Sequence, residues 1–161
     1  MIEKLTPILI FIAVLGSGLI AGLFFAFSAF VMKGLYRLSP QQGISAMQSI
    51  NNAVLNRLFF TLFMGTSLVC IILVIISILN WQDPNAIYIF TGSLLYLLGS
   101  LLVTAVCNVP LNDTLANVIA TDPESFGQWK DYYSKWTAWN HVRTISSLIS
   151  LALFVFVLWG I

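Results

Sequence analysis

The chain has 161 residues, of which 59% are hydrophobic and only 8% charged, against roughly 25% charged in soluble domains. That composition excludes a water-soluble globular domain. Seven Lys or Arg against six Asp or Glu leave a formal charge of +1, too little basic field to neutralise phosphates, so a nucleic-acid partner is excluded as well.

Four windows carry no charge, 5–32, 58–82, 84–112 and 144–161, each near or above the ~18 apolar residues that cross a bilayer. They predict an all-α, four-transmembrane-helix bundle in a single integral membrane domain, 1–161, with spans near 7–32, 58–80, 86–108 and 140–160. The first window is about twice the length of a signal peptide's apolar region and has bulky Phe where cleavage needs small residues, so it is expected to stay in the mature protein. Its Gly18, Gly22 and Ala26 form a small-residue series that lets another helix approach, within the chain or in a homo-oligomer.

Before span two, Ser39-Pro40-Gln41-Gln42 reads as a helix start. An amphipathic extension from Pro40 running unbroken into the span is expected, with Ser45, Gln48, Asn52 and Asn56 as its polar stripe. Spans two and three are joined by the short turn at 80–85. Before span four, Thr121-Asp122-Pro123-Glu124 resembles another cap, so a helical connection should lead through Trp129 into the last span.

Lys33, Arg37, Arg57, Lys130, Lys135 and Arg143 flank or lie in the two longer connections, and Lys4 alone marks the other side. The positive-inside rule then puts both long connections in the cytoplasm and both termini outside, with a bacterial inner membrane as the expected location. Trp81 and Trp159 suit the outer interface; Tyr36, Trp129, Trp136 and Trp139 suit the inner one. Cys70 lies deep in span two and Cys107 near the polar end of span three, too far apart in depth for a disulfide.

Span three carries Ser93, Tyr96, Ser100, Thr104, Asn108 and Asn112 at spacings of three or four, a seam that a lipid-facing helix would not keep. Ser and Thr can bond back to their own helix, whereas each Asn needs partners. Asn108 and Asn112 flank Pro110, where a bend is expected. On span four, Trp136, Asn140, Arg143 and Ser147 share a face. Arg143 is open to two readings, a snorkelling anchor or an inward guanidinium able to hold an oxyanion. His141, the only histidine, is either a general base or a polar residue of the interface. By the 3.6-residue repeat it points roughly 200° away from Arg143. With one His and no carboxylate cluster, no metal site is expected.

Asn52, Asn56, Arg57, Asn108, Asn112, Asn140 and Arg143 fall at one membrane depth. A packed bundle would gather them around a cytoplasm-facing cavity, floored by the Phe-rich middle of spans one and two.

Asn108-Val109-Pro110-Leu111-Asn112 and Trp136-Thr137-Ala138-Trp139-Asn140-His141-Val142-Arg143-Thr144, supported by Gly22-Leu23-Phe24-Phe25-Ala26-Phe27-Ser28, resemble the anthrone oxygenase-like family of small four-span membrane proteins. The resemblance covers nearly the whole chain. It implies oxidation of a planar polyketide anthrone to an anthraquinone by molecular oxygen, with no flavin, haem or metal cofactor. It further implies Arg143 with Asn108 or Asn112 as oxyanion binders and His141 as base. The substrate would then lie against Asn52, Asn56, Asn140, Trp136, Trp139, Phe27 and Tyr96. The reading from another class is a non-catalytic membrane protein that binds a hydrophobic aromatic small molecule or serves as an accessory subunit.

Overall fold

The computed structural model describes residues 2–160; Met1 and Ile161, the ends of the expected domain, lie outside the described residues, as does the side chain of Lys4. Among the described residues there are helices and turns and no strand. Four rods are long and apolar enough to cross a membrane: Leu5–Tyr36, Arg57–Leu79, Ala86–Ala116 and Ser125–Gly160. This is an integral membrane protein. The first rod joins α1 (Ile2–Ala26), a π-helical stretch (Phe27–Val31) and α2 (Met32–Tyr36); α3 (Pro40–Val54) follows, and α4 (Arg57–Leu79) is the second rod. The third joins α5 (Ala86–Tyr96), π-helical Leu97–Leu102 and Thr104–Asn108, and α6 (Val109–Ala116); α7 (Ser125–Gly160) is the fourth.

α1 packs against α4 and α7, and α5 packs against the same two, so the rods close in the order α1, α4, α5, α7. Successive rods cross in opposite directions, so neighbours in this order are antiparallel. Each contributes one stripe to a common core, including Ile10, Ile20, Phe24, Phe63, Leu73, Tyr96 and Phe154. Lipid tails are as apolar as these side chains, so close packing rather than escape from solvent holds the rods together. The tightest approaches are at Gly16, where a Cβ would overlap Thr66, and at Gly99, where it would overlap Ser146. The series Gly18, Gly22 and Ala26 is not where the helices come closest: a Cβ on Gly18 would make ordinary contact with Leu151 at 3.6 Å, and one on Gly22 would meet nothing.

α7 has 36 residues, or ~54 Å at 1.5 Å per residue, well beyond a ~30 Å hydrocarbon core. Its first turns therefore stand clear of the membrane beside α2 and α6. α4 begins later, and α3 fills the space above it. Met32, Ile44, Met47, Leu115, Trp129, Tyr132 and Trp136 form a second core there, which we call the cap.

Two expectations are corrected. The Ser39 start is as read, with Gln42 N donating to Ser39 Oγ and Ser39 N to Gln42 Oε1, but the helix does not run on into span two. It stops at Val54, Leu55 and Asn56 leave helical geometry, and Asn56 Oδ1 accepts from Phe59 N at 3.0 Å. An amide placed to satisfy a free N–H starts a new helix there. The polar stripe is accordingly dispersed: Gln48 Nε2 donates to Leu115 O and Val118 O at 2.9 and 3.0 Å, closing the end of α6, while Ser45 and Asn52 are exposed.

The third rod runs past the expected end at 108 to Ala116, and its irregularity lies before Pro110 rather than at it. Pro110 occupies the first turn of α6, where its missing N–H costs least. In a regular α-helix each step of four residues drifts ~40° around the axis. The π-helical stretches, with wider turns, cancel that drift. The seam stays turned inward: Ser93, Tyr96, Ser100 and Asn108 are buried. As expected, a single helix runs from the second long connection into span four; it starts at Ser125, and Asp122 Oδ1 instead closes a turn by accepting from Glu124 N. Both cysteines are unpaired.

Candidate functional site

Where the membrane core meets the cap lies a cavity of about 230 Å³, larger than the ~150 Å³ engineered cavity that admits benzene. α1 supplies Leu23, Phe24 and Phe27, α3 supplies Met47, Ile50, Asn51 and Val54, and the start of α4 supplies Phe59, Phe60, Phe63 and Met64. Leu101, Thr104, Ala105, Val109 and Asn112 come from the third rod, Trp136 and Arg143 from α7. A second recess, about 540 Å³, lies at the opposite end against the exposed turn residues Asn80, Gln82 and Asp83. It is the roomier of the two but contains no buried charge, so the chemistry points to the first.

Arg143 is 5% exposed. Its Nη2 donates to Asn140 Oδ1 at 2.7 Å and Nη1 to Thr104 Oγ1 at 3.2 Å, while Nε has no hydrogen-bond partner. The guanidinium carbon lies 4.2 Å from the centroid of Phe24 and 5.0 Å from that of Trp136, so two ring faces supply part of the missing counter-charge. No carboxylate does: among the described residues the ion pair found is Lys135 with Asp131, on the exposed face of α7. A buried cation held only by neutral groups is costly alone and is stabilised by an anionic oxygen brought to it.

Asn140 fixes that cation. Its Nδ2 donates to Phe24 O and Ser28 Oγ, both at 2.8 Å, which turns Oδ1 towards Arg143. Ser28 and Thr144 hydroxyls meet at 3.0 Å, and Thr144 Oγ1 donates to Asn140 O. The amide is thus tied to the first rod at its π-helical stretch, a backbone irregularity often found at functional sites.

Asn112 is fixed from the cap. Trp136 Nε1 and Tyr132 OH each donate to Asn112 Oδ1 at 2.9 Å. An indole N–H can only donate, so the amide must present its oxygen to Trp136. Its Nδ2 has no hydrogen-bond partner among the described residues. Trp129, Tyr132 and Trp136 stack in series at 5.7 and 6.3 Å, and Phe27 packs on Trp136 at 5.5 Å, so the two rings that line the cavity here, Phe27 and Trp136, are backed by the aromatic core of the cap.

Of the residues picked from the sequence, Arg143, Asn112, Trp136 and Phe27 line the cavity, and Asn140 stands directly behind Arg143. Asn108 is buried behind Trp136, donating to its carbonyl at 3.3 Å with Oδ1 unpaired. Tyr96 lies below the floor, its ring 6.2 Å from Phe63 and its OH donating to Phe63 O. Asn52, Asn56, Trp139 and His141 are exposed and off the cavity. For Asn56 the reason is its capping bond; for His141 it is the two-residue offset that turns it away from Arg143 around α7. Thr104, from the span-three seam, and Phe24, from the Phe-rich stretch expected as the floor, also line the cavity, whereas Asn51 and Met47 line it without having been singled out in the sequence. Asn51 follows Met47 by four residues and precedes Val54 by three, a spacing that put it on the inward face of α3. Among the described residues no three His, Cys, Asp or Glu side chains gather as a metal site would require.

A bundle of four apolar rods under a helical cap, closed around an inward-facing cation, defines a small four-helix integral membrane protein. The chain belongs to the anthrone oxygenase family, whose model matches residues 57–153, more than half of its length. Both segments that carried the resemblance, 108–112 and 136–144, lie inside that match. No curated protein and no solved structure matches the chain.

Proposed function

We propose that this protein is a cofactor-independent oxygenase that binds a planar hydroxylated aromatic ketone of the anthrone type in the Arg143 cavity. The observation that carries the reading is the buried guanidinium with a free Nε and no carboxylate, set in a ring-lined chamber. Such a site favours a flat apolar ligand bearing one oxyanion. Removing a ring-methylene proton turns an anthrone into its enolate, and Arg143 holds the negative oxygen. The electron-rich carbon then reduces molecular oxygen. One oxygen atom ends as the new carbonyl, the other leaves as water with the two methylene hydrogens. Asn112 Nδ2 offers a second donor, and Trp136, Phe27 and Phe24 hold the rings.

The cavity wall contains no His, Asp or Glu, so in this reading water takes the proton and the site acts by stabilising the enolate. His141, expected as base, has no part in it. The same feature favours a second reading, a membrane protein that binds such a ligand without turning it over. We also take the cap as cytoplasmic, because Lys33, Arg37, Arg57, Lys130 and Lys135 are all at that end and exposed.

The test is oxygen uptake by purified protein given a dihydroxyanthrone, corrected for spontaneous oxidation, with Arg143→Met beside it. Uptake lost in the folded variant supports the oxygenase. Saturable binding without uptake supports the second reading, and neither binding nor uptake removes both.

A further inference from the structure

The cavity's opening carries information that its chemistry does not. Of the residues that line it, five are exposed: Leu55, Phe60, Met64, Ala105 and Val109. All are apolar. The polar lining, Asn51, Thr104, Asn112 and Arg143, is half-buried or buried. Met64 follows the start of α4 by seven residues, or ~10 Å along the helix axis, which puts it within the uncharged stretch 58–82. α4 packs along α5 and Leu97–Leu102, but no comparable packing joins it to Thr104–Asn108 or α6. The two rods therefore part below the cap, and α3 lies across the aqueous end with Met47 buried and Ile50 half-buried.

We propose that the Arg143 cavity takes its ligand sideways out of the bilayer, through the gap between Met64 on α4 and Ala105 on the third rod, as a neutral planar amphiphile whose hydroxyl or carbonyl oxygen ends at Arg143. This rests on the ligand class proposed above and adds the route and the phase from which the ligand comes. A ligand already charged in water would shed its hydration at a wholly apolar rim before reaching the guanidinium. A lipid-dissolved one crosses that rim at little cost and meets the first polar groups inside. The ligand's flat body then replaces lipid contacts with Phe59, Phe63 and Trp136.

The route is kinetic, so rates rather than affinities test it. Stopped-flow mixing of a dihydroxyanthraquinone with the full chain in phosphatidylcholine nanodiscs gives association and dissociation rates for the wild type, Ala105→Trp and Met64→Trp. Both rates are expected to fall together on the order of tenfold, because a narrowed gap raises one barrier for both directions; a change in dissociation alone would mean that the bulky side chains act on the bound ligand rather than on its route, and would overturn the proposal. A reversible block guards against misfolding. Met64→Cys with Ala105→Cys in a Cys107→Ser background, bridged after purification by a reducible bifunctional reagent, is expected to slow both rates on bridging and recover on reduction. Unchanged rates in the bulky variants and the bridged protein, with binding intact, overturn the lateral route while leaving the proposed ligand class standing. No saturable binding by the wild type overturns both.

Discussion

Asn140 Oδ1 accepts a 2.7 Å hydrogen bond from Arg143 Nη2, three residues along α7, while its own Nδ2 is held by the Phe24 carbonyl and Ser28 of the first rod. One amide thereby couples the orientation of the buried cation to the packing of two rods. Asn140→Asp would set a carboxylate in the place of Oδ1 and satisfy the guanidinium internally. The expected outcome is a folded protein whose affinity for a dihydroxyanthraquinone falls by about 1.5–3 kcal/mol, the worth of a charge-assisted bond, read by titration in detergent or nanodiscs. Unchanged affinity would mean that Arg143 does not bind the ligand oxygen.

Removing the cation itself separates stability from function. Arg143→Met keeps an unbranched side chain against Phe24 and Trp136 and removes a buried charge with no carboxylate partner. Replacing buried charge by apolar volume is often neutral or stabilising by about 1–4 kcal/mol, and here Asn140 and Thr104 each lose one bond partner. The thermal midpoint is expected to hold or rise while ligand binding is lost, measured by a melting assay and titration on the same preparation.

Trp136→Phe leaves the ring wall but removes the N–H that fixes Asn112. Tyr132→Phe removes the second donor to the same oxygen. Each is expected to cost about 0.5–1.5 kcal/mol of ligand affinity through a less well-oriented amide. The double variant should lose less than the sum, since either change alone already frees the amide to turn. Strict additivity would show that the two donors act elsewhere.

His141→Ala is expected to leave oxygen uptake and ligand affinity close to wild type, because the ring is exposed on the face of α7 away from Arg143. A loss of uptake with intact binding would restore a proton-transfer role to the histidine and require α7 to rotate or a second chain to approach.

Glycine substitutions report the packing. Gly16→Val and Gly99→Val force overlap with Thr66 and Ser146 and are expected to destabilise by about 1–3 kcal/mol, the usual cost of overpacking. Gly22→Ala meets open space and should be silent. Thermal midpoints in one detergent compare all three, and a silent Gly16→Val would contradict the helix contact between α1 and α4.

The amino-acid sequence by itself determined the bundle. Uncharged windows long enough to cross a bilayer leave no other way to satisfy their backbone than helices, and the Asn108–Asn112 and Trp136–Arg143 spacings placed two polar seams on inward faces. Periodicity also showed that Arg143 and His141 point to different sides of one helix, but not which of them faces inward. It could not tell which polar residues of a mixed stripe would be used. Asn56 looked like a cavity residue and Gln48 like a member of the same polar stripe; both instead satisfy helix ends, because free N–H and C=O groups at a break compete for the same amides. Asn51, on the apolar side of that stripe, lines the cavity. Those assignments, the break before α4, the choice of Gly16 over Gly22 and the apolar gap beside Met64 depend on how far one rod stands from the next. That distance is set by contacts between residues remote in the chain, so only the tertiary structure decided it.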